Sequence, residues 1–290
     1  MSHIVVTTEG AVATLTIHRR DRMNSLDVET ARDLRKAGLS LARDRAVRAV
    51  ILRGEGGIFC SGADLKYIRA GGNAEDLGYL VAGGAQPQKG YGAIFKQILE
   101  YIHSTISEIR RSPKPWIAAV DGPAAAGGLG LAMACDLVIA SERSSFEWAY
   151  GKTGLTGAES TTFFLPRLVG LRKALELAML GQRLTAREAL GVGLITAVVP
   201  DDQLEIEARA MAAKVAAGPT EAMGVAKSLM NAAAGVDRLD VHLDRELEEL
   251  ARIADGADFA EGLDAFFAKR APVFAGPGTT GPAGAGRKVP

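Results

Sequence analysis

The chain has 290 residues, of which 48% are hydrophobic and 23% charged, and its 34 Lys and Arg balance its 34 Asp and Glu. This length suits one large domain, or a core with a smaller appendage, and the balanced charge disfavours a nucleic-acid binder, which usually carries a basic excess. The two cysteines, Cys60 and Cys135, lack metal-ligand spacing and suit a reduced, cytoplasmic protein, and no stretch has the roughly 20 uninterrupted apolar residues of a membrane span.

The first part of the chain alternates short apolar strands with helical segments. Strands are predicted at 4–6, 12–17, 46–53, 116–120 and 136–140, and helices at 27–42, 94–110 and from about 127. Asp27 has the residue type and position of an N-cap for the first helix. The recurring strand, strand, helix unit predicts an α/β core over residues 1–200.

The pattern becomes helical after residue 200. Helices are predicted at 204–217, 221–233, 238–254 and 258–269. Residues 201–275 are therefore expected to form a C-terminal helical region. The Gly- and Pro-rich stretch 276–290 is expected to be a disordered tail, and the Gly- and Ala-rich segment 70–90 a mobile surface segment.

Two glycine- and alanine-rich loops, 59–65 and 119–130, carry the chemical signal. Each follows a predicted strand and opens a predicted helix. Small residues let a ligand approach the backbone, and free N–H groups at a helix start favour negative charge, so one N–H from each loop could hold an oxyanion. The alternative is that the small residues serve only tight packing. The second loop lacks both the GxGxxG spacing and the Lys-Ser/Thr of nucleotide-binding loops.

Taken together and in order, these segments resemble the enoyl-CoA hydratase/isomerase (crotonase) superfamily. The resemblance covers roughly residues 4–275 and rests on 18–26, 59–66, 119–136, 164–170, 177–184, 186–199 and 261–270. It implies an α/β crotonase core of repeated ββα units with a C-terminal α-helical region. It also implies an acyl-CoA thioester substrate whose enolate is stabilised, no cofactor beyond the coenzyme A of the substrate, no metal, no nucleic acid or membrane partner, and a homotrimer or hexamer.

The resemblance also assigns the binding site. The two backbone oxyanion donors fall on Ala63 and Gly127. The coenzyme A site comprises Arg22, Ser61, Ala63, Asp64, Leu65, Lys66, Gly127, Phe266 and Lys269. Phe266 and Lys269 match residues that often serve a neighbouring subunit, although both lysines also fit an ordinary solvated surface.

The chain departs from the hydratases of this family at both catalytic glutamates. Those positions are Gly130 and Tyr150, so hydration by two carboxylates is not expected. Isomerases carry an acidic residue at the position of Ala158, and here the next residue is Glu159. One carboxylate suffices to remove a proton and return it elsewhere, which makes Glu159 the candidate base and Tyr150 its candidate partner.

Alternatives remain for these residues and for the reaction. Glu159 could instead cap the following helix, Tyr150 could simply pack in an apolar pocket, and Glu147 is a third acidic candidate. Residues 70–95 and 146–165 are expected to shape the acyl pocket, where aromatic side chains either line it or pack in the core: Tyr91, Phe95, Trp148, Phe163 and Phe164. Double-bond isomerisation is favoured over hydration, and thioester hydrolysis, dehalogenation, decarboxylation and non-catalytic acyl-CoA binding are the alternatives.

Overall fold

The computed structural model describes residues 3–73, 76 and 90–276. The strands are β1 (Ile4–Glu9), β2 (Val12–Ile17), β3 (Ala49–Gly54), β4 (Trp116–Val120), β5 (Pro123–Ala125), β6 (Leu137–Ser141), β7 (Ser145–Glu147), β8 (Arg183–Thr185) and β9 (Ala197–Val199). The helices are α1 (Val28–Arg43), α2 (Leu65–Arg69), α3 (Tyr91–Arg111), α4 (Gly127–Ala134), α5 (Thr161–Val169), α6 (Leu171–Leu180), α7 (Ala186–Gly191), α8 (Leu204–Ala217), α9 (Thr220–Ala233), α10 (Leu239–Ala254) and α11 (Ala257–Ala268). Most of the segment predicted to be mobile, and residues 277–290 of the predicted tail, lie outside the described residues.

A six-stranded sheet in the order β1-β2-β3-β4-β6-β9 forms the centre of the fold. Its strands run parallel except β1, which pairs antiparallel with β2 at the edge. Alternate residues of β3 and β4 face opposite layers: Ile51 and Ile117 pack against α8, whereas Leu52 and Ala118 join the larger core on the other side. Burial on both faces explains the continuous apolar runs of these strands and confirms the predicted α/β core.

A second sheet of three short strands, in the order β5-β7-β8, flanks the first. β5 comes directly after β4 and leads into α4, as the predicted strand, strand, helix unit requires. After residue 200 the structure is helical through α8, α9, α10 and α11, as predicted. Within the described ranges, no helix is both long and apolar enough to cross a membrane.

Two element boundaries differ from the prediction for local reasons. The third strand begins at Ala49 rather than at residue 46, because the Ala46 N–H donates to Asp44 Oδ1 at 2.8 Å and holds a turn there. Helix α3 begins at Tyr91, three residues before the predicted start. The Gly92 N–H donates to Asp255 Oδ1 at 2.8 Å, so a side chain distant in sequence stabilises the first turn of this helix.

Candidate active site

The two glycine- and alanine-rich loops are hydrogen-bonded to each other in parallel register. Cys60 bridges Ala124 of β5, through Cys60 N–H to Pro123 O at 3.2 Å and Ala125 N–H to Cys60 O at 3.0 Å. Beyond the bridge the two loops stay in contact, because the Cβ position of Gly62, the residue before Ala63, lies 3.1 Å from the backbone nitrogen of Gly127. The segments that carry the two predicted donors therefore adjoin.

Small side chains are a condition of this close approach. A Cβ atom on Gly62 would lie 2.8 Å from Ala126 Cβ and 3.1 Å from the backbone nitrogen of Gly127. A Cβ atom on Gly128 would lie 2.1 Å from Cys60 O. Tight packing and ligand access are therefore not alternatives in these loops. The same small residues that let the loops pack against each other also bring the segments with the two predicted donors together. Within the described residues, neither the Ala63 nor the Gly127 N–H has a hydrogen-bond acceptor.

A cavity of about 370 Å³ opens beside the two loops. The predicted coenzyme A residues that line it are Arg22, Ser61, Ala63, Asp64, Leu65, Lys66 and Phe266. Further lining residues, which the sequence did not single out, are Asp21, Met23, Ser25, Ala126, Ala149, Lys152, Thr153, Leu155 and Phe267. Of the remaining predicted residues, Gly127 is buried behind Ala126, and Lys269 ends α11 in the left-handed conformation, outside the lining.

Only one of the five predicted aromatic side chains lines this cavity, namely Phe95. The other four pack edge-on against neighbouring rings, with centroid distances of 5.1 to 5.3 Å: Tyr91, Trp148, Phe163 and Phe164. For these four side chains the structure therefore favours core packing, one of the two alternatives that the sequence left open.

Glu159 and Tyr150 both reach the cavity and contact each other there. The Tyr150 hydroxyl lies 2.5 Å from Glu159 Oε2, and Glu159 Oε1 lies 2.8 Å from the position of a Cβ atom on Gly127. Burial raises the pKa of Glu159 to about 7, and the hydrogen bond from Tyr150 limits the rise. A carboxyl group that exchanges a proton near neutral pH therefore lies beside the second oxyanion loop.

The Glu159 backbone occupies the space that a side chain at Gly130 would need. A Cβ atom on Gly130 would lie 2.0 Å from Glu159 O and 2.9 Å from Glu159 Cβ. No side chain can enter there unless the segment moves. The segment that carries Glu159 therefore fills the space beside Gly130.

The enoyl-CoA hydratase/isomerase family model matches residues 7–82 and 78–277. The chain belongs to this enzyme family. A 1,2-epoxyphenylacetyl-CoA isomerase of Escherichia coli K12 is 34% identical over 278 residues, covering 95% of this chain and 99% of that protein. A 4-chlorobenzoyl coenzyme A dehalogenase of an Arthrobacter species is 29% identical over 92% of this chain and 91% of its own length.

Solved structures agree with the family assignment. The crystal structure of an enoyl-CoA hydratase from Mycobacterium avium subsp. paratuberculosis K-10 superposes with a TM-score of 0.81 at 32% identity, covering 95% of this chain and all of that chain. The predicted crotonase fold is thereby confirmed. Relatives of this enoyl-CoA hydratase/isomerase family member carry the names of a hydratase, an isomerase and a dehalogenase, so family membership alone leaves the reaction open.

Two of the alternatives for the acidic residues are wrong. Glu159 does not cap α5, because Glu246 accepts the N–H groups of Ser160 at 2.7 Å and Thr162 at 3.0 Å. Glu147 is buried outside the cavity lining and is ion-paired with Lys152 and with Arg183, whose Nη2 lies 2.9 Å from Glu147 Oε2. Glu147 is therefore engaged with two cations and does not face the cavity.

Buried ion pairs hold the first loop, a feature that the sequence reasoning missed. The Asp64 carboxylate accepts from Arg19 Nη1 at 2.8 Å and Arg22 Nη2 at 2.6 Å, and it caps α2 through the Lys66 and Tyr67 N–H groups. Burial opposes its ionisation, but Arg22 and Arg19 hold the pKa of Asp64 below its usual range. The side chain of Asp64 therefore holds the loop in place. Its backbone is engaged as well, because its N–H donates to Leu26 O at 2.8 Å and its C=O accepts the Ile68 N–H at 3.0 Å. The Asp before a short helix was the sequence signal for this cap.

Proposed function

We propose that this protein isomerises the double bond of an unsaturated acyl-CoA thioester through an enolate. The observation that carries the proposal is the Glu159 carboxyl group, buried in the cavity beside Gly127, while the position of a second acid at Gly130 is closed. One carboxyl group can move a proton from Cα to Cγ, because the same group removes it and returns it.

The two unpaired amides are the oxyanion donors of the proposed reaction. The thioester oxygen would accept the N–H groups of Ala63 and Gly127, and the start of α4 adds the positive end of a helix dipole. As the Cα–H bond breaks, its electrons form the enolate, whose negative oxygen these donors stabilise. Loss of one such donor typically costs roughly 100- to 1000-fold in rate.

Tyr150 would stay hydrogen-bonded to Glu159 in both protonation states of the carboxyl group. Its hydroxyl lies 2.5 Å from Glu159 Oε2 and 2.9 Å from Ala158 O. When Glu159 is ionised, the hydroxyl donates to the carboxylate. When Glu159 is protonated, the acid donates to the tyrosine oxygen and the hydroxyl proton turns to Ala158 O. The buried pair therefore remains hydrogen-bonded while the proton is on the enzyme.

Hydration would need a second group to act on water. The described residues that line the cavity include two other carboxylates, Asp64 and Asp21. Asp64 is engaged by two arginines, and Asp21 is an exposed residue of a turn near the N-terminus. Neither is placed beside Glu159 as a partner, which favours isomerisation over hydration.

Coenzyme A would bind along the basic side of the same cavity. Arg22, Lys66 and Lys152 line it, and cationic side chains of these types suit phosphate groups. The reaction needs no cofactor besides the coenzyme A of the substrate. A cytoplasmic location belongs to the same proposal, since Cys60 and Cys135 are both free thiols.

We also propose that the protein assembles as a homotrimer or a hexamer. Exposed apolar side chains are concentrated on α6 and α9, including Met179 at 76%, Leu180 at 69%, Leu229 at 67% and Met230 at 70% exposure. Phe266 lines the cavity yet is 53% exposed, so a second copy could complete that wall. Light scattering would contradict the assembly by showing a monomer.

The test uses vinylacetyl-CoA and crotonyl-CoA, each in deuterated water. Isomerisation of the first should raise the absorbance of the conjugated thioester, whereas crotonyl-CoA should take up deuterium without losing absorbance. Glu159→Gln should lose roughly 100- to 10,000-fold in turnover while still binding the ester. The control is Glu142→Gln, an exposed residue paired with Arg187. Rapid hydration of crotonyl-CoA, or full activity of the Glu159 variant, would contradict the proposal.

A further inference from the structure

A second buried carboxyl group lies against the backbone of the segment that carries Glu159. Glu246 of α10 is 5% exposed, and it contacts the segment that carries Glu159 across 86 positions of sequence. The proposed reaction assigns it no step. Its contacts nevertheless determine the backbone on which the candidate base stands.

The backbone at Glu159 and Ser160 is held in an uncommon conformation. Their φ angles are +51° and +66°, and neither residue is glycine. Left-handed backbone at consecutive non-glycine residues persists only where the surroundings impose it. Gly130 leaves room for Glu159 O. Contacts with other residues must therefore stabilise the left-handed backbone of Glu159 and Ser160.

Glu246 supplies that restraint with both of its oxygens. Oε2 accepts the Ser160 N–H at 2.7 Å, and Oε1 accepts the Thr162 N–H at 3.0 Å together with the Thr162 hydroxyl. The hydroxyl of Ser160, which is the N-cap residue of α5, makes no hydrogen bond within the described part of the chain. A carboxylate from another helix therefore replaces the local cap and fixes the peptide that joins Glu159 to Ser160.

We infer that Glu246 is a positioning residue, which directs the Glu159 carboxyl group into the cavity by holding the Glu159–Ser160 peptide. The inference rests on the proposed role of Glu159 as the base. Glu246 does not reach the cavity itself, because it is absent from the described residues that line it. Its effect on catalysis would therefore act through the backbone that it holds.

The buried environment acts on both carboxyl groups. Burial, together with the charge of Glu159, raises the pKa of Glu246 to about 7. Burial raises the pKa of Glu159 to about 7 as well. Because the charge of Glu159 acts on Glu246, the two carboxyl groups titrate as a coupled pair.

Among the described residues, no lysine or arginine forms an ion pair with Glu246, but two histidines lie near it. His103 Nε2 of α3 lies 3.8 Å from Glu246 Oε2, and burial lowers the pKa of His103 to about 3. His242 Nε2 lies 3.7 Å from Glu246 Oε1, and burial, Arg167 and Arg245 lower its pKa as well. Burial therefore disfavours a positive charge on either imidazole beside Glu246.

The test compares Glu246→Gln and Glu246→Ala in the full-length protein, with vinylacetyl-CoA as substrate. The glutamine keeps one acceptor oxygen for the backbone N–H groups of the Glu159 segment, so its kcat should stay within a few-fold of the wild type with KM unchanged. The alanine leaves two N–H groups unbonded and frees Glu159 to move. The kcat of Glu246→Ala should fall by roughly 100-fold while ester binding persists. Glu246→Gln should retain most of the wild-type kcat.

The control variant is Glu249→Gln, an exposed residue of the same helix paired with Arg252. If folded Glu246→Ala keeps the wild-type kcat, or if Glu246→Gln loses as much kcat as Glu246→Ala, the positioning role is wrong. Failure of the proposed function is a separate result: Glu159→Gln would then turn over vinylacetyl-CoA normally, or the wild type would not turn it over at all.

Discussion

Helix propensity and packing predict opposite effects for the substitution Gly130→Ala. In an exposed helix interior, replacing glycine by alanine stabilises by about 1 kcal/mol. Here the added Cβ atom would lie 2.0 Å from Glu159 O, where ordinary contact begins at 3.4 Å, so the Glu159 segment must shift by more than 1 Å. Forcing such a shift into a packed core costs roughly 1–3 kcal/mol, so we expect net destabilisation.

The same shift should reduce activity more than stability. A displacement of roughly 1 Å at a reacting group can lower the rate by about 100-fold. Urea denaturation would measure the free energy of unfolding, and vinylacetyl-CoA turnover the rate, on the same preparation. The control is Gly191→Ala at the end of α7, where a Cβ atom meets nothing within 4 Å. This variant should match the wild type in turnover and gain up to about 1 kcal/mol in stability from helix propensity.

Two outcomes would refute this reasoning. Gly130→Ala could equal or exceed the wild type in stability while remaining fully active, which would mean that the Glu159 backbone does not occupy this space. Alternatively, Gly130→Glu could fold and hydrate crotonyl-CoA. The glutamate of the hydratases would then be restored by one substitution, whereas the structure predicts that it displaces Glu159 and inactivates the enzyme.

Three further predictions concern the charges of the site. Tyr150→Phe removes a hydrogen bond to ionised Glu159, so the acid limb of the pH–rate profile should move to higher pH by about one unit, and an unmoved limb would contradict the role of Tyr150. Burial raises the pKa of Glu159 from 4.5 to about 7, so the folded protein keeps a proton that the unfolded chain releases. Stability should therefore fall by up to roughly 3 kcal/mol as the pH rises through this range, and Glu159→Gln should weaken that dependence in urea titrations. Asp64→Ala removes one of the two buried carboxylates that bind Arg19 while Asp27 stays paired with it, so it should cost roughly 1.5–3 kcal/mol. Asp264→Ala at an exposed ion pair should cost less than about 1 kcal/mol in the same titrations.

Local patterns in the sequence were sufficient for the layout of the fold. The apolar runs of β3 and β4 predicted buried parallel strands, because a strand covered on both faces has no polar alternation. Asp27 predicted the start of α1, and it accepts the Thr30 N–H as an N-cap should. The small residues of the two loops predicted the close backbone approach at Gly62 and Gly128. Each of these signals lies within a few residues of the feature that it determines.

Which acidic side chain reaches the cavity could be decided only from the tertiary structure. The sequence favoured Glu159 as the base but left a capping role for Glu159, and Glu147 as another acid, as alternatives, since the spacing along the chain does not say where a carboxyl group points. The cap on α5 comes from Glu246, and the space at Gly130 is filled by the Glu159 backbone. The sequence alone therefore determined the scaffold and the two glycine- and alanine-rich loops. Which acid enters the cavity was decided only by packing between segments far apart in the chain, because only contacts across such distances hold Glu159 in its left-handed backbone and leave Glu147 ion-paired elsewhere.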